Sequence, residues 1–452
     1  MNDPMSTALL TDHYELTMVQ AALRSGAAGR RTVFEVFARH LPGGRRYGVV
    51  AGVGRLLDAL SSFRFTDDEL AFLAEHDVVD AATIDFLAGY RFSGDVYGYR
   101  EGESYFPGSP IMVVHGTFAE SVVLETMILS ILNHDSAITS AAARMSHAAG
   151  ERPLIEMGTR RTHERAAVAA ARAAYIGGFA TSSNLRAGFL YGVPTRGTSA
   201  HAFTLLHDSE RQAFQAQIAA LGPATTLLID TYDVAEAVRT AVELAGPELG
   251  AVRIDSGDLA QAAVSVRQQL DSLGADKTRI IVTGDLDEYS IAALAAAPVD
   301  GYGVGTSLVT GSGVPTAAMV YKMVARADPD GELQPVAKRS VGKPSRGGVK
   351  AAFRRIGPDG CALAEIIVPD GPHAAQAAVT VPVNGGDTDP RDTHRPLLAP
   401  LVKDGEVVGG ESVAAARDRR AASAAELPPE AHHLSRGYAA IPTVFAGPWG
   451  SP

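Results

Sequence analysis

The sequence is poor in cysteine, in basic residues and in long apolar runs, and each shortage closes off a class of protein. Cys361 is the only cysteine, so an intrachain disulfide, a zinc ribbon and a CxxC redox motif are excluded and a reducing compartment is expected. Lys and Arg number 40 against 51 Asp and Glu, a formal net charge of −11; this argues against a chain built to neutralise a nucleic-acid backbone. A small anionic ligand needs only a local cluster of cations and stays open. No run reaches the ~18 apolar residues of a membrane span, and the opening MNDPMSTALLTDHYELTM lacks the basic start and apolar core of a secretory signal. The expectation is a cytoplasmic protein with neither membrane nor nucleic-acid partners.

What is present is an ordinary globular composition, 46% hydrophobic and 20% charged, in 452 residues, more than one core usually holds. Between residues 225 and 310, four apolar runs end in acid or glycine: TTLLIDTYD, GAVRIDSGDL, RIIVTGDLDE and VDGYGVGTSL. Alanine-rich, helix-like segments separate them at roughly 25 to 30 residues, the pattern of a parallel βα sheet curling into a barrel. Asp230, Asp255, Asp285 and the glycines near 303 are then expected to converge at the strand C-termini. Residues 31–130 read instead as an α+β unit, with extended candidates RRTVFEVFARHL, GDVYGYREGE and PIMVVHGTF. Beyond residue 330, Gly- and Pro-rich text alternates with short strands. The expected domains are 1–130, an N-terminal α+β domain; 131–329, a βα barrel carrying the active site; and 330–452, a C-terminal segment returning to the N-terminal domain.

Several stretches carry candidate chemistry, each with a plainer alternative. In MGTRRTHERAAVAAARAAYIGG, residues 157–178, Arg160 and Arg161 precede a helix with Thr162 as N-cap, so an anion can dock on guanidiniums and free amides; a solvated helix face explains the arginines equally. In RIDSGD, residues 253–258, Arg253 and Asp255 lie two apart and face one side of a strand. Sugar hydroxyls or a magnesium-bound phosphate suit that pair, as does a structural ion pair. Gly303, Gly305 and Thr306 in GYGVGTSL read as a phosphate-cradling loop, or as turns in a chain of 46 glycines. His201, in VPTRGTSAHAF, follows Gly197, Thr198, Ser199 and Ala200; by itself a histidine is more often satisfied or surface-lying than reactive. Tyr14, in the capped helix start TDHYELTM, reads as packing, and KRSVGKPSRGGVK, residues 338–350, as an exposed basic loop.

In this order TDHYELTM, FEVFARHLPGGRRYGVVAGVGRLLDAL, MGTRRTHERAA, GGFATSSNLRAG, GTSAHAF, RIDSGDL, TGDLDE, GYGVGTSL and AKRSVGK resemble the nicotinate phosphoribosyltransferases, the type II phosphoribosyltransferases of NAD salvage. No single motif decides this; the ordered set does. The expected fold class is α/β, an irregular parallel βα barrel packed against an α+β domain formed by the N-terminal and C-terminal parts of the chain. The resemblance implies that nicotinate and phosphoribosyl pyrophosphate give nicotinate mononucleotide and pyrophosphate, coupled to ATP hydrolysis through a phosphohistidine at His201.

It further implies that Asp255 and Asp285 stabilise the sugar, with Arg253 on the substrate side. Gly303, Gly305 and Thr306 would hold the 5′-phosphate, and Arg160 would lie near nicotinate and pyrophosphate. Tyr14 would stack on the ring from a neighbouring subunit of a homodimer with shared active sites. Arg161, Ser256, Gly257, Gly284 and Lys338 complete the substrate contacts, and Asp230 and Asp255 are the expected magnesium ligands. One departure is Met157 in EMGTRR, where the family commonly shows an aromatic residue; a thioether can still pack on a ring. Thr181, Ser182, Ser183 and Asn184 offer donors that suit a carboxylate over an amide. A nicotinamide- or quinolinate-using relative, or a non-catalytic nucleotide-binding regulator, stands as the alternative.

Overall fold

The structure is a computed structural model describing residues 6–338, 345–369, 371, 389 and 391–446. The chain divides into two compact units, one made of Met1–Ala137 with Thr316–Pro452 and the other of Ile138–Pro315. The boundaries expected near residues 130 and 330 thus fall later and earlier. The second shift has a direct cause: Met319–Ala327 is a strand that pairs along Arg31–Ala38 and belongs to the first unit's sheet.

In the first unit, the described residues form a seven-stranded antiparallel sheet. Its order is Leu333–Pro335, Met319–Ala327, Arg31–Ala38, Met112–Thr117, Asp95–Gly98, Ala399–Lys403 and Glu406–Val407. The three extended stretches read from residues 31–130 are its central strands. Arg31–Ala38 is buried at every position after the first, as a strand covered on both faces must be. A four-stranded sheet, Thr393–Pro396, Lys350–Ile356, Ala362–Pro369 and Thr443–Phe445, and a two-stranded one, Gly48–Val49 with Ser104–Tyr105, belong to the same unit. The reading of residues 338–350 as an exposed loop fails at its end: Lys350 is 1% exposed, starts a strand and pairs with buried Glu35 at 2.7 Å. Residues 339–344 of that stretch lie outside the described residues.

The second unit holds a six-stranded, all-parallel sheet ordered Thr181–Ser182, Leu154–Glu156, Gly301–Val304, Arg279–Gly284, Ala251–Ile254 and Thr226–Leu228. It is a curled half-barrel. Each strand is followed by a helix, such as Val234–Ala245, Leu259–Ser272 and Glu288–Ala293. Alternate strand residues split between the two faces. Leu227, Val252, Ile254, Ile280, Val282, Tyr302 and Val304 are at most 1% exposed and pack with Ala237, Val238, Ala263 and Val266 of the helices. The other face carries Arg253, Thr283, Gly301 and Gly303. Tight curling explains the two glycines, since a Cβ on Gly303 would lie 2.5 Å from Thr283 Cγ2 and one on Gly301 2.9 Å from Ile281 Cδ1. Among the described residues, no helix is long and apolar enough to cross a membrane.

Candidate active site

Because every strand of the half-barrel runs the same way, their C-terminal ends share one edge, where ligands bind in such sheets. A cavity of about 590 Å³ opens there. Its cations are Arg160, Arg161, Arg196 and Arg253, and its acids are Asp255 and Asp285. Met157, Ser183, Gly284, Gly303, Gly305 and Thr306 line it as well. In a chain of net charge −11, four guanidiniums around one cavity form the local cluster that an anionic ligand requires.

The acids at the strand ends divide their labour. In each of three motifs a second acid, two or three residues after the first, caps the following helix, and of the first acids Asp255 and Asp285 line the cavity while the Asp230 side chain lies buried behind Asp255 and Ser256. Asp233 accepts from Glu236 N–H, Asp258 from Gln261 N–H and Asp287 from Ser290 N–H. Capping fixes the second carboxylate locally and frees the first. Asp255 accepts a hydrogen bond from Thr283 Oγ1. Asp230 turns Oδ2 to the Asp255 N–H at 2.9 Å and the Ser256 hydroxyl at 2.8 Å. Its other oxygen, Oδ1, is buried without a hydrogen-bond partner, in a side chain only 4% exposed.

Arg253 and Asp255 do share a side of their strand, with Nη2 3.9 Å from Oδ2, yet the closer partners of Arg253 lie elsewhere. Its Nη1 donates to Thr198 Oγ1 at 2.6 Å and Ser199 O at 3.2 Å, so the guanidinium holds the loop that ends at His201. Burial makes its charged form costlier than usual and lowers its pKa, against the opposing pull of Asp255 and Asp230. His201 begins the short helix His201–Leu206. Its Nδ1 lies 3.1 Å from Thr231 Oγ1, and its Nε2 sits 3.9 Å from both Asp230 Oδ1 and Asp255 Oδ2. Glu210, at the start of helix Glu210–Leu221, is pushed up to about 7 by burial and by the Asp233 and Asp230 charges.

Other residues stand apart. Ser256 supports Asp230, and Gly257 holds a left-handed turn at φ 82°. Thr181 lies on the edge strand with its hydroxyl buried. Tyr14, 44% exposed on helix His13–Ser25, and the exposed Lys338 belong to the first unit. The helix after the arginines is capped by His163, whose Nδ1 accepts from Arg165 N–H at 3.3 Å, not by Thr162. Thr159–Arg161 forms a 3₁₀ turn, which shifts the helix start by one residue. Sequence reasoning missed the lining residues Thr159, Arg196 and Thr283. Thr283 had a signal, since it precedes Gly284 at the end of an apolar strand.

The site therefore belongs to a parallel α/β protein with a cluster of guanidiniums gathered at its strand ends. The sequence model of the nicotinate phosphoribosyltransferase (NAPRTase) N-terminal domain matches residues 9–133. The nicotinate phosphoribosyltransferase pncB1 of Mycobacterium tuberculosis is 58% identical over 443 residues, 96% of this chain and 94% of that protein. The nicotinate phosphoribosyltransferase of Bacillus subtilis is 37% identical, covering 78% of this chain and 74% of its own. In three dimensions the crystal structure of human nicotinic acid phosphoribosyltransferase superposes with a TM-score of 0.82 at 29% identity, covering 97% of each chain. The chain belongs to the nicotinate phosphoribosyltransferase family of enzymes.

Proposed function

We propose that this chain transfers the phosphoribosyl group of phosphoribosyl pyrophosphate to nicotinate, giving nicotinate mononucleotide and pyrophosphate, with ATP hydrolysis coupled through a phosphorylated His201 in cytoplasmic NAD salvage. The observation that carries the reading is the gathering of Arg160, Arg161 and Arg253 with Asp255 and Asp285 around one cavity. In the reaction the anomeric C–O bond to pyrophosphate breaks and a C–N bond to the pyridine nitrogen forms, building positive charge on the sugar. Asp255 and Asp285 are set to face that charge, and the guanidiniums to face the leaving group and the acceptor carboxylate. Amides at Gly305 and Thr306 suit the 5′-phosphate. The hydroxyl of Ser183, which lines the cavity, suits a carboxylate, which has no proton to give.

With Nδ1 of His201 engaged by Thr231, Nε2 is the nitrogen left to accept the γ-phosphoryl group of ATP, releasing ADP. The Asp230 and Asp255 carboxylates near it stabilise the cationic phosphoimidazole but repel an incoming phosphate. Asp230 Oδ1, buried without a hydrogen-bond partner, and Asp255 fit a hard divalent cation. Among the described residues no three metal-ligating side chains form a cage, so magnesium would take the rest of its ligands from water and phosphate, as is usual for that ion. When bound it would neutralise phosphate charge beside the carboxylates.

Turnover of nicotinate and phosphoribosyl pyrophosphate, with and without ATP, tests the reading in wild type and His201→Ala. The variant is expected to lose ATP stimulation and ATPase activity while retaining slow uncoupled transfer; undiminished stimulation would overturn the phosphohistidine. Nicotinate should outcompete nicotinamide and quinolinate, and equal use of the three would overturn the acid preference. We also propose a homodimer in which Tyr14 of the partner subunit stacks on the acceptor. Leu185 and Phe189, 77% and 79% exposed, and Leu205 and Leu206, 62% and 76% exposed, support an apolar contact surface. Sedimentation should give a dimer mass, and a monomer of full activity would remove the shared site.

A further inference from the structure

The site contains a buried carboxylate to which the chemistry above gives no part. Glu156 ends the strand Leu154–Glu156 and is 0% exposed. Burial raises its pKa, and its only opposing influences are hydrogen bonds from Ser182 and Gly158. A buried carboxyl is costly unless its oxygens are satisfied. Here each oxygen takes one donor: Oε1 the N–H of Gly158, and Oε2 the hydroxyl of Ser182. The two donors sit in different segments, Gly158 in the loop after that strand and Ser182 at the end of the edge strand Thr181–Ser182.

Gly158 belongs to the segment that presents Met157, Thr159, Arg160 and Arg161 to the cavity, and Ser182 directly precedes Ser183, another lining residue. A second tie joins the same segments, because Asn184 Nδ2 donates to Thr159 Oγ1 at 3.2 Å. Backbone bonds seat them on the sheet, Met157 N–H to Val304 O and Ser183 N–H to Glu156 O, both at 2.8 Å. Gly158 has no room for a side chain, since a Cβ there would lie 2.2 Å from Val309 Cγ1 and 3.1 Å from Glu156 Oε1. The carboxylate is therefore packed against the loop it holds.

We infer that Glu156 is a positioning residue for the acceptor: its carboxylate clamps the Met157–Arg161 loop to the Ser182–Asn184 segment and so fixes the wall against which the pyridine carboxylate docks. This rests on the proposed transferase reading. Arg253, Asp255 and Asp285 lie on or just after other strands, so the clamp acts chiefly on the acceptor and reaches phosphoribosyl pyrophosphate only through Arg160 and Arg161.

The test separates the two substrates in Glu156→Gln, Ser182→Ala and the double variant. Glu156→Gln keeps the shape but presents an amide N–H to one of two donors. Its KM for nicotinate should rise about tenfold or more, with KM for phosphoribosyl pyrophosphate rising much less and kcat altered far less. Ser182→Ala should show a smaller rise of the same kind, and the double variant should add little beyond Glu156→Gln, as for members of one network. Glu156→Asp, which retains charge but shortens the reach, should recover less than the full affinity.

An unchanged nicotinate KM in Glu156→Gln, or equal rises for both substrates, overturns the inference. Should Glu156→Gln fail to fold, an unchanged nicotinate KM in Ser182→Ala overturns it alone. A wild-type chain with no nicotinate-dependent pyrophosphate release overturns the transferase reading and the clamp together, whereas an active wild type with an indifferent variant overturns only the clamp.

Discussion

Glu210 shows how position within one site changes a common side chain. Its carboxyl is pushed from the ordinary 4.5 up to about 7 by burial and by the neighbouring Asp233 and Asp230 charges. An acid whose folded pKa is raised loses stability for the fold as pH climbs from its unfolded value to its folded one. The penalty therefore develops between about pH 4.5 and 7 and is complete above that window. Glu210→Gln should melt higher than wild type at about pH 8, and the difference should vanish near pH 4; thermal scans across pH check this. Nothing in the sequence marked Glu210, because its shift depends on burial and on Asp233 and Asp230, 20 or more residues away along the chain. His201 was visible only through its motif, and its setting among Thr231, Asp230 and Asp255 is a property of the fold.

At the scale of elements, the paired acids of the half-barrel decide what a substitution does. Asp258 is the N-cap of Leu259–Ser272, while Asp255, three residues earlier, lines the cavity. Asp258→Ala should cost about 1 kcal/mol of stability, the usual value of such a cap, and leave turnover close to wild type. Asp255→Asn should do the reverse, melting near wild type while turnover falls about a hundredfold. Denaturant titration and steady-state kinetics on the two variants make the comparison. The strands and their spacing were legible from apolar runs ending in acids. The assignment of each acid to cap or cavity was not, since both roles select the same residue type.

For the molecule as a whole, residues far apart in sequence meet in the first unit. Arg354, 0% exposed, donates to Glu365 Oε1 at 2.7 Å and Ser104 O at 2.8 Å, with Glu103 at 3.4 Å. Such a network stabilises only while complete, and removing one member strands the others in a medium of low dielectric. Arg354→Met should cost about 3 to 5 kcal/mol, read as a lowered denaturant midpoint. Restored stability on adding Glu365→Leu would confirm that the stranded carboxylate carries the loss.

The amino-acid sequence by itself determined the parallel α/β pattern, the order of the motifs and the candidate residues Arg160, Arg253, Asp255, Asp285, Gly305 and His201, because periodicity and residue chemistry are local. The tertiary structure alone decided that Met319–Ala327 leaves the barrel for the sheet of the first unit, that Lys350 is buried against Glu35, and that Glu156 joins the Gly158 loop to the Ser182 strand end. Those outcomes follow from long-range pairing and burial, which no stretch of neighbouring residues encodes.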